Sequence, residues 1–176
     1  MKSDNKLIEV KDLHVSFKTH NGTVKAIRGV SFDLYAGETL AIVGESGSGK
    51  SVTTKVLMGI LAKNGTIDSG EVWYDGKDLT KLSKKEMVKV RGKEIAMIFQ
   101  DPMACLNPRM NVRDIIAEGI DIHKLAKTKE ERDEMVYSIL SKVGLAKEHA
   151  GRYPHEFSGG QRQRIGIARA LITNPK

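Results

Sequence analysis

The sequence predicts an α/β protein with an antiparallel β region first, a strand–loop–helix unit next, and an α-helical region from about residue 111. Three observations support this prediction. Apolar and polar residues alternate imperfectly over 7–17 and again over 30–35, which is the period of a β-strand. A Gly- and Ser-rich stretch at 44–51 separates a short apolar run from a helical pattern. After residue 111 the apolar residues recur at helical spacing.

The composition fits one globular domain. The 176 residues are 40% hydrophobic and 29% charged, with a formal net charge of +7, which excludes a wholly disordered or fibrous chain. No apolar run approaches the roughly 18 residues of a membrane span, and the start lacks the apolar region of a secretory signal. The single cysteine, Cys105, allows no internal disulfide, and no histidine spacing predicts structural zinc. We expect a cytoplasmic chain.

The amino-terminal half is predicted to hold most of the strands. Asn21-Gly22 supplies a turn between the two alternating segments. Residues 39–43 form a short apolar run, predicted as a strand, and a helix is expected from the Gly/Ser-rich loop to about Leu61. Residues 64–70 are predicted as a loop because they contain two glycines, and 71–74 as the strand that follows.

The second half is predicted to be mostly helical after a strand at 94–99. Helix starts are marked by Ser-x-x-Glu at 83–86 and Thr-x-x-Glu at 128–131, both of capping-box form. Gly144 is a plausible helix stop. Two apolar stripes are expected to face the core, one of Val112, Ile115, Ile116 and Ile120, the other of Val136, Ile139, Leu140 and Val143.

The Gly/Ser-rich stretch has the phosphate-binding pattern G-x-x-x-x-G-K-[ST] between an apolar run and a helix, the context that the motif requires. It reads Gly44-Glu45-Ser46-Gly47-Ser48-Gly49-Lys50-Ser51. Its glycines let backbone N–H groups point at phosphate oxygens, and the following helix adds its positive end. We expect Lys50 to reach the β and γ phosphates, Ser51 to bind Mg²⁺, and Ser46 and Ser48 to donate further hydrogen bonds. The alternative is a chance glycine-rich turn.

A second candidate anion site lies at 158–161. Ser158 and Gln161 have the form of a capping box, and Gly159 and Gly160 between them leave the backbone amides uncovered. Two phosphate sites cannot grip one nucleotide unless they face each other. This suggests that the second site serves a nucleotide held by another subunit.

With these motifs the chain resembles the nucleotide-binding subunits of ABC transporters. The resemblance places their Walker A loop at 44–51, with Val52 next to it also binding the nucleotide, and their signature motif at 158–161. It makes Gln100 the Q-loop glutamine and Phe17 the adenine-stacking aromatic, although a lone Phe17 is more often a core residue. The implied fold is a P-loop NTPase of ABC type, with an amino-terminal antiparallel β subdomain, a partial RecA-like core and an α-helical subdomain.

Three further stretches, 98–103, 106–108 and 153–156, resemble the oligopeptide, dipeptide and nickel importer branch. The resemblance implies a motor subunit that couples ATP binding and hydrolysis to import of peptides or a similar small solute. In it Lys50 and Gln100 are catalytic, Ser51 and Gln100 hold Mg²⁺, and residues 101–110 press on a membrane partner. His155 and Glu156 are expected to shape their loop, and Cys105 to be an idle thiol.

The same resemblance implies the partners. They are a second ABC motor subunit, identical or paralogous, transmembrane permease subunits and, indirectly, an extracytoplasmic solute-binding protein, with the chain on the cytoplasmic face of the membrane. The alternative is a soluble ABC-type ATPase acting on nucleic acid or ribosomes, which the positive charge favours. The short distance between the two motifs argues against it, so we expect no nucleic acid partner.

The sequence departs from the family after the signature helix. It stops at Lys176, where the family continues into an apolar Walker B strand that ends in Asp-Glu. We expect one incomplete nucleotide-binding domain: a β subdomain and P-loop core over 1–100, a Q-loop and helical subdomain over 101–160, and a returning signature helix over 161–176. Such a chain is expected to bind ATP weakly and not hydrolyse it. Asp101 as a displaced Walker B acid is the less favoured alternative.

Overall fold

The computed structural model describes residues 5–101 and 105–176. The chain divides into two compact units, Met1–Met87 and Val88–Lys176. The first holds the sheet and the Gly/Ser-rich loop, and the second holds most of the helices. Each unit is described by itself below.

The sheet of the first unit has four antiparallel strands, β1 (Lys6–Thr19), β2 (Gly22–Tyr35), β3 (Gly65–Tyr74) and β4 (Lys77–Asp78). Their order across the sheet is β2-β1-β3-β4. The turn predicted at Asn21-Gly22 is confirmed, since Thr19 pairs with Gly22 at the end of the β1–β2 hairpin. The antiparallel amino-terminal region is therefore confirmed as a whole.

The imperfect alternation of β1 has a structural cause. Ile8 and Val10 are buried, and the next buried pair is Leu13 and Val15, which leaves two residues instead of one between Val10 and Leu13. The register of β1 shifts there against both neighbouring strands, and Asp12 adopts a φ of 42°. The extra residue forms a bulge that returns both apolar pairs to the same face of the sheet.

The loop predicted at 64–70 is wrong, because β3 already begins at Gly65. The two glycines in it mark close approaches to β1. A Cβ on Gly65 would lie 2.7 Å from Cε1 of Phe17, and one on Gly70 would overlap the carbonyl of Asp12 in the bulge. These glycines allow β3 to pack closely against β1. Glycine within a strand often marks such a close approach and does not by itself indicate a loop.

The strands predicted at 39–43 and 94–99 are also wrong. Residues 39–45 have no regular structure, and Val43 is 86% exposed. In the second stretch a single bridge joins Arg91 to Ile95, and no strand follows. Apolar runs of this type form strands when a hydrogen-bonded neighbour lies beside them. Among the described residues, no strand lies beside 39–43 to supply that neighbour.

The described residues form five α-helices: α1 (Lys50–Leu57), α2 (Lys84–Val90), α3 (Val112–His123), α4 (Lys129–Lys142) and α5 (Gly159–Leu171). Helix α1 ends four residues before the predicted end at Leu61, close to Gly59 with its φ of 60°. The start predicted for α2 is confirmed, since Ser83 Oγ accepts from the N–H of Glu86 and the Glu86 carboxylate accepts from the N–H of Ser83.

The core of the second unit is formed by α3, α4 and α5. The predicted apolar stripes are confirmed, except that Val143 is only half-buried. Gly144 ends α4 with a φ of 72°, as predicted. Thr128 caps α4, but the Glu131 carboxylate accepts from the N–H of Lys127 and not from that of Thr128. The fully buried side chains of this core are Val112, Ile115, Ile116, Ala117, Ile120, Val136, Leu140, Ile165 and Ala168.

An ion-pair network links α3 to α4. The Arg132 guanidinium lies 2.8 Å from Asp121 and 3.2 Å from Asp114. The hydrogen bond from Arg132 lowers the pKa of Asp121 and outweighs the opposing effect of its partial burial. The same bond raises the pKa of Arg132. The residue pattern held no signal for this network, because its members lie on different helices.

Candidate functional site

The backbone of the Gly/Ser-rich loop requires glycine at two positions. Gly47 has a φ of 82° and Gly49 a φ of 94°, in the left-handed region that other residues rarely adopt. Gly49 is also buried, and a Cβ there would lie 2.7 Å from the carbonyl oxygen of Ala26 on β2. The loop therefore lies directly against the second strand.

Lys50 folds back over its own loop. Its ammonium donates to the carbonyl oxygens of Gly44 at 2.7 Å and Glu45 at 2.6 Å, with the Ser48 hydroxyl at 3.4 Å. All three partners are neutral acceptors. Among the described residues no carboxylate pairs with this ammonium, so its charge is free to meet that of an anionic ligand.

The start of α1 supplies the other donors of the loop. The first turn contains no acidic residue, so nothing opposes an anion at the positive end of the helix. Ser51 and Ser46 are exposed, and Val52 beside Ser51 is half-buried. The hydroxyl of Thr53 donates back to the carbonyl of Gly49, which ties the helix to the loop. The loop and the start of α1 are thus held together as one structure.

Phe17 lies on β1 between Val24 of β2 and Gly65 of β3. It is half-buried, with its ring resting over the place where Gly65 lacks a side chain. One side of the ring is therefore accounted for by packing. Its predicted contact with adenine stays a prediction.

The capping box predicted at 158–161 is present in full. The Ser158 hydroxyl accepts from the N–H of Gln161 at 3.3 Å, and the Gln161 amide oxygen accepts from the N–H of Ser158 at 3.0 Å. Gly159 and Gly160 are exposed, and a Cβ on either would meet no atom within 4 Å. The start of α5 is thus a rigid turn with open space above its backbone.

The loop before this cap is held by local contacts. The Glu156 carboxylate accepts from the N–H of Tyr153 at 2.6 Å. The rings of Tyr153 and His155 stack with centroids 5.9 Å apart. These contacts are consistent with the structural role predicted for His155 and Glu156.

Gln100 is exposed and lies at a bend after residues without regular structure. The strand that was expected to end at this residue is absent, so the backbone support predicted for Gln100 is missing. Residues 102–104, which carry part of the resemblance to the importer branch, lie outside the described residues. The predicted roles of Gln100 in catalysis and metal binding stay predictions.

Sequence reasoning missed two arginine contacts of α5. Arg164 donates to the carbonyls of Val143 at 3.4 Å and Gly144 at 3.3 Å, and Arg169 donates to the carbonyl of Cys105 at 2.6 Å. The acceptors are backbone atoms 20 to 64 residues away along the chain. Because every residue type has a backbone carbonyl, the sequence pattern held no signal for either contact.

The donor set indicates how a metal ion would be held. Across residues 5–101 and 105–176, no group of three or more His, Cys, Asp or Glu side chains is placed to bind a metal. The exposed Ser51 hydroxyl beside the phosphate loop is a hard oxygen ligand. Mg²⁺ keeps several waters and is often bound through one or two protein oxygens together with substrate phosphates. These residues fit that mode of binding.

The glycine-built loop, the lysine inside it and the helix that starts at that lysine define a P-loop nucleotide-binding protein. The ABC transporter family model matches residues 27–176, and the chain belongs to that family. The fold is therefore that of an ABC-type P-loop NTPase, as the sequence predicted.

Curated relatives support the predicted branch. The chain is 54% identical over 171 residues to the oligopeptide transport ATP-binding protein OppF of Bacillus subtilis, covering 97% of this chain and 55% of that protein. It is 51% identical to the dipeptide transport ATP-binding protein DppD of Lactococcus lactis, covering 99% of this chain and 50% of that protein. The chain thus spans about half the length of these relatives.

Solved structures agree on the fold. The dimeric post-hydrolysis structure of the ATP-binding cassette MJ0796, bound to ADP and Pi, matches with a TM-score of 0.86 and 28% identity, covering 96% of this chain and 71% of that one. CbiO1 of Clostridium perfringens, part of an ABC transporter complex, matches with a TM-score of 0.75 and 27% identity, covering 98% and 64% of the two chains. Within the described residues, none of the helices has the length and apolar character needed to cross a membrane.

Proposed function

We propose that this chain is the ATP-binding part of a motor subunit that drives the import of peptides or a similar small solute. The observation that carries the proposal is the Lys50 ammonium inside its own glycine-built loop, where its partners among the described residues are neutral acceptors. Such a loop fits the β and γ phosphates of a nucleotide. The naming of the relatives as oligopeptide and dipeptide transport proteins supports peptides as the cargo.

Each site residue has a role in this proposal. Lys50 and the loop amides hold the phosphates, Ser51 and Gln100 hold Mg²⁺, and Gln100 also senses the γ phosphate. Phe17 stacks on adenine. The 158–161 turn contacts a nucleotide held by a second motor subunit, identical or paralogous. Bound Mg²⁺ neutralises charge on the phosphates during transfer.

The proposal places the protein on the cytoplasmic face of the membrane. Its partners there are transmembrane permease subunits and, through them, an extracytoplasmic solute-binding protein. No nucleic acid partner is proposed. The domain boundaries expected from the sequence, at 100 and 160, belong to this proposal as well.

We further propose that the 176-residue chain alone binds ATP weakly and does not hydrolyse it. The described residues offer Ser51 as a metal ligand, but the acidic pair at 133–134 lies within the charged helix α4 and does not follow an apolar strand. In P-loop enzymes, a carboxylate that follows an apolar strand helps to hold the metal during phosphoryl transfer. Hydrolysis would then require a segment beyond these residues.

The test compares Mg·ATP binding and turnover by this chain and by a version extended through an apolar strand ending in Asp-Glu. We expect both to bind and only the longer one to turn over. Lys50→Ala should weaken binding by about 10- to 100-fold, the range expected for losing charged hydrogen bonds. Lys55→Ala is the matched control, because Lys55 is exposed on the same helix.

Unchanged binding and turnover in the Lys50→Ala variant would overturn the nucleotide-binding role. Turnover by the short chain that disappears with Lys50→Ala would overturn only the claim of inactivity. It would assign the missing carboxylate to Asp101 or a neighbour.

A further inference from the structure

The segment Cys105–Met110 follows Gln100 closely along the chain and packs on the signature helix α5. Leu106 is 4% exposed and belongs to the apolar core that α5 completes with Ile165 and Ala168. After Leu106 the segment forms a turn, in which the side chain of Asn107 accepts a hydrogen bond from the N–H of Arg109 at 3.0 Å. The segment therefore has a defined conformation and a defined position against the helix.

Arg169 adds a hydrogen bond between α5 and this segment. Its guanidinium donates to the carbonyl of Cys105 at 2.6 Å, across 64 residues of sequence. One turn earlier on α5, Gly166 is buried, and a Cβ there would lie 4.0 Å from the Cys105 sulfur. Arg169 is half-buried, and a charged donor on a neutral acceptor in such a place makes a stronger bond than a neutral donor does.

We propose that Arg169 is a positioning residue, whose bond to the Cys105 carbonyl makes the 105–110 segment and α5 move as one piece. A displacement of the 105–110 segment then reaches the 158–161 turn at the other end of the same helix. The apolar contact of Leu106 holds the segment near the helix but does not fix its orientation, because apolar contacts are not directional. The directional bond from Arg169 supplies that constraint. The inference depends on the proposed function only for the event that displaces the segment.

Arg164 provides a matched control on the same helix. It also donates its guanidinium to backbone carbonyls, at 3.3 and 3.4 Å, but those carbonyls end helix α4. Loss of Arg164 therefore removes the same kind of contact from α5 without touching the 105–110 segment. A structural role alone would give both losses the same consequences.

The first measurement is hydrogen–deuterium exchange of the complete protein that contains this chain, without nucleotide. With Arg169→Ala we expect residues 105–110 to exchange about tenfold faster, as for a segment that opens locally, while exchange within α4 is unchanged. Arg164→Ala should leave 105–110 as in the parent protein. Arg169→Lys should restore slow exchange, because one ammonium donor can replace one N–H bond. Equal exchange at 105–110 in the parent and Arg169→Ala proteins would overturn the inference.

The second measurement separates positioning from stability. We expect Arg169→Ala to lower kcat for ATP by about threefold to tenfold, the effect of one lost hydrogen bond, with KM for ATP unchanged and kcat recovered in Arg169→Lys. If Arg169→Ala does not fold, Arg169→Gln, which keeps an amide donor, is measured in its place. Equal losses of kcat in the Arg164 and Arg169 variants would overturn the inference. Failure of the parent protein to bind ATP would count against the proposed function, while the nucleotide-free exchange would still decide the role of Arg169.

Discussion

The two glycine-containing turns of this protein are built in opposite ways. In the P-loop, Gly47 and Gly49 are held at positive φ, and the loop is closed by its own lysine. In the 158–161 turn, Gly159 and Gly160 belong to an ordinary helix, and side-chain hydrogen bonds of Ser158 and Gln161 fix the shape. One turn needs glycine for its backbone conformation, and the other needs it for the empty space above the backbone.

Glycine therefore has a different structural meaning at the two sites. A side chain added to the P-loop changes the structure, and any loss of binding follows from that. A side chain added to the 158–161 turn leaves the structure intact and obstructs only what approaches from outside. Stability and activity should therefore change together at the first site and separately at the second.

The largest effect is expected from Gly49→Ala. The left-handed φ and the approach of 2.7 Å to the Ala26 carbonyl both oppose a Cβ, so we expect a loss of about 2–4 kcal/mol in the free energy of unfolding. Gly47→Ala is the control, because its φ is also positive but no atom lies within 4 Å of the added Cβ. It should lose about 1–2 kcal/mol. Urea unfolding measures both, and equal losses would remove the steric part of the explanation.

A smaller effect is expected from Ser158→Ala. This change removes the acceptor of the Gln161 N–H and one half of the capping box, which should lower the free energy of unfolding by about 1 kcal/mol. Ser158→Thr keeps the hydroxyl and should restore most of the stability. If Ser158→Ala unfolds at the same urea concentration as the parent, the cap does not stabilise α5.

Gly160→Ala separates stability from activity. Since its φ is helical and no atom lies near the added Cβ, we expect a gain of about 0.5–1 kcal/mol in the free energy of unfolding, with a loss of ATP turnover in the complete protein. Gly166→Ala is the control within the same helix, where the Cβ would make an ordinary 4.0 Å contact with Cys105. It should stabilise without reducing turnover. Destabilisation by Gly160→Ala would contradict the contrast between the two turns.

The smallest effect concerns pH in the unit that carries the 158–161 turn. The bond from Arg132 lowers the pKa of Asp121 below its ordinary value. The unfolded state therefore binds more protons, so this stabilisation is present above the unfolded pKa and is lost as pH falls through the range near and below about 4. Asp121→Asn should be less stable than the parent at neutral pH, and the difference should shrink toward about pH 3. Denaturant unfolding at several pH values measures it, and a pH-independent difference would contradict the ion-pair explanation.

Local signals predicted the parts of the molecule that local chemistry determines. The hairpin at Asn21-Gly22, the capped helix starts at Ser83, Thr128 and Ser158, and the stop at Gly144 each depend on residues within one turn of chain. The phosphate loop was predictable for the same reason. Its residues are consecutive, and their types are fixed by φ and by charge.

The predictions that were wrong or absent depend on residues that are far apart in the sequence. Residues 39–43 have the composition of a strand, but a strand requires a neighbour, and that neighbour is not specified by the run itself. Gly65 and Gly70 suggest a loop until the packing of β3 on Phe17 and on the bulge at Asp12 is known. The bond from Arg169 to the Cys105 carbonyl was equally invisible, because every residue type has a carbonyl.

The position of Lys50 has a consequence for how a nucleotide would arrive. Its ammonium already donates hydrogen bonds to the carbonyls of Gly44 and Glu45. A phosphate that binds Lys50 therefore replaces existing hydrogen bonds, and the net number gained is small. The exchange itself requires a swing of the Lys50 side chain, and exposed side chains make such movements within picoseconds to nanoseconds. Association should then be governed by diffusion and long-range charge, and the enthalpy released should be small compared with the number of contacts formed.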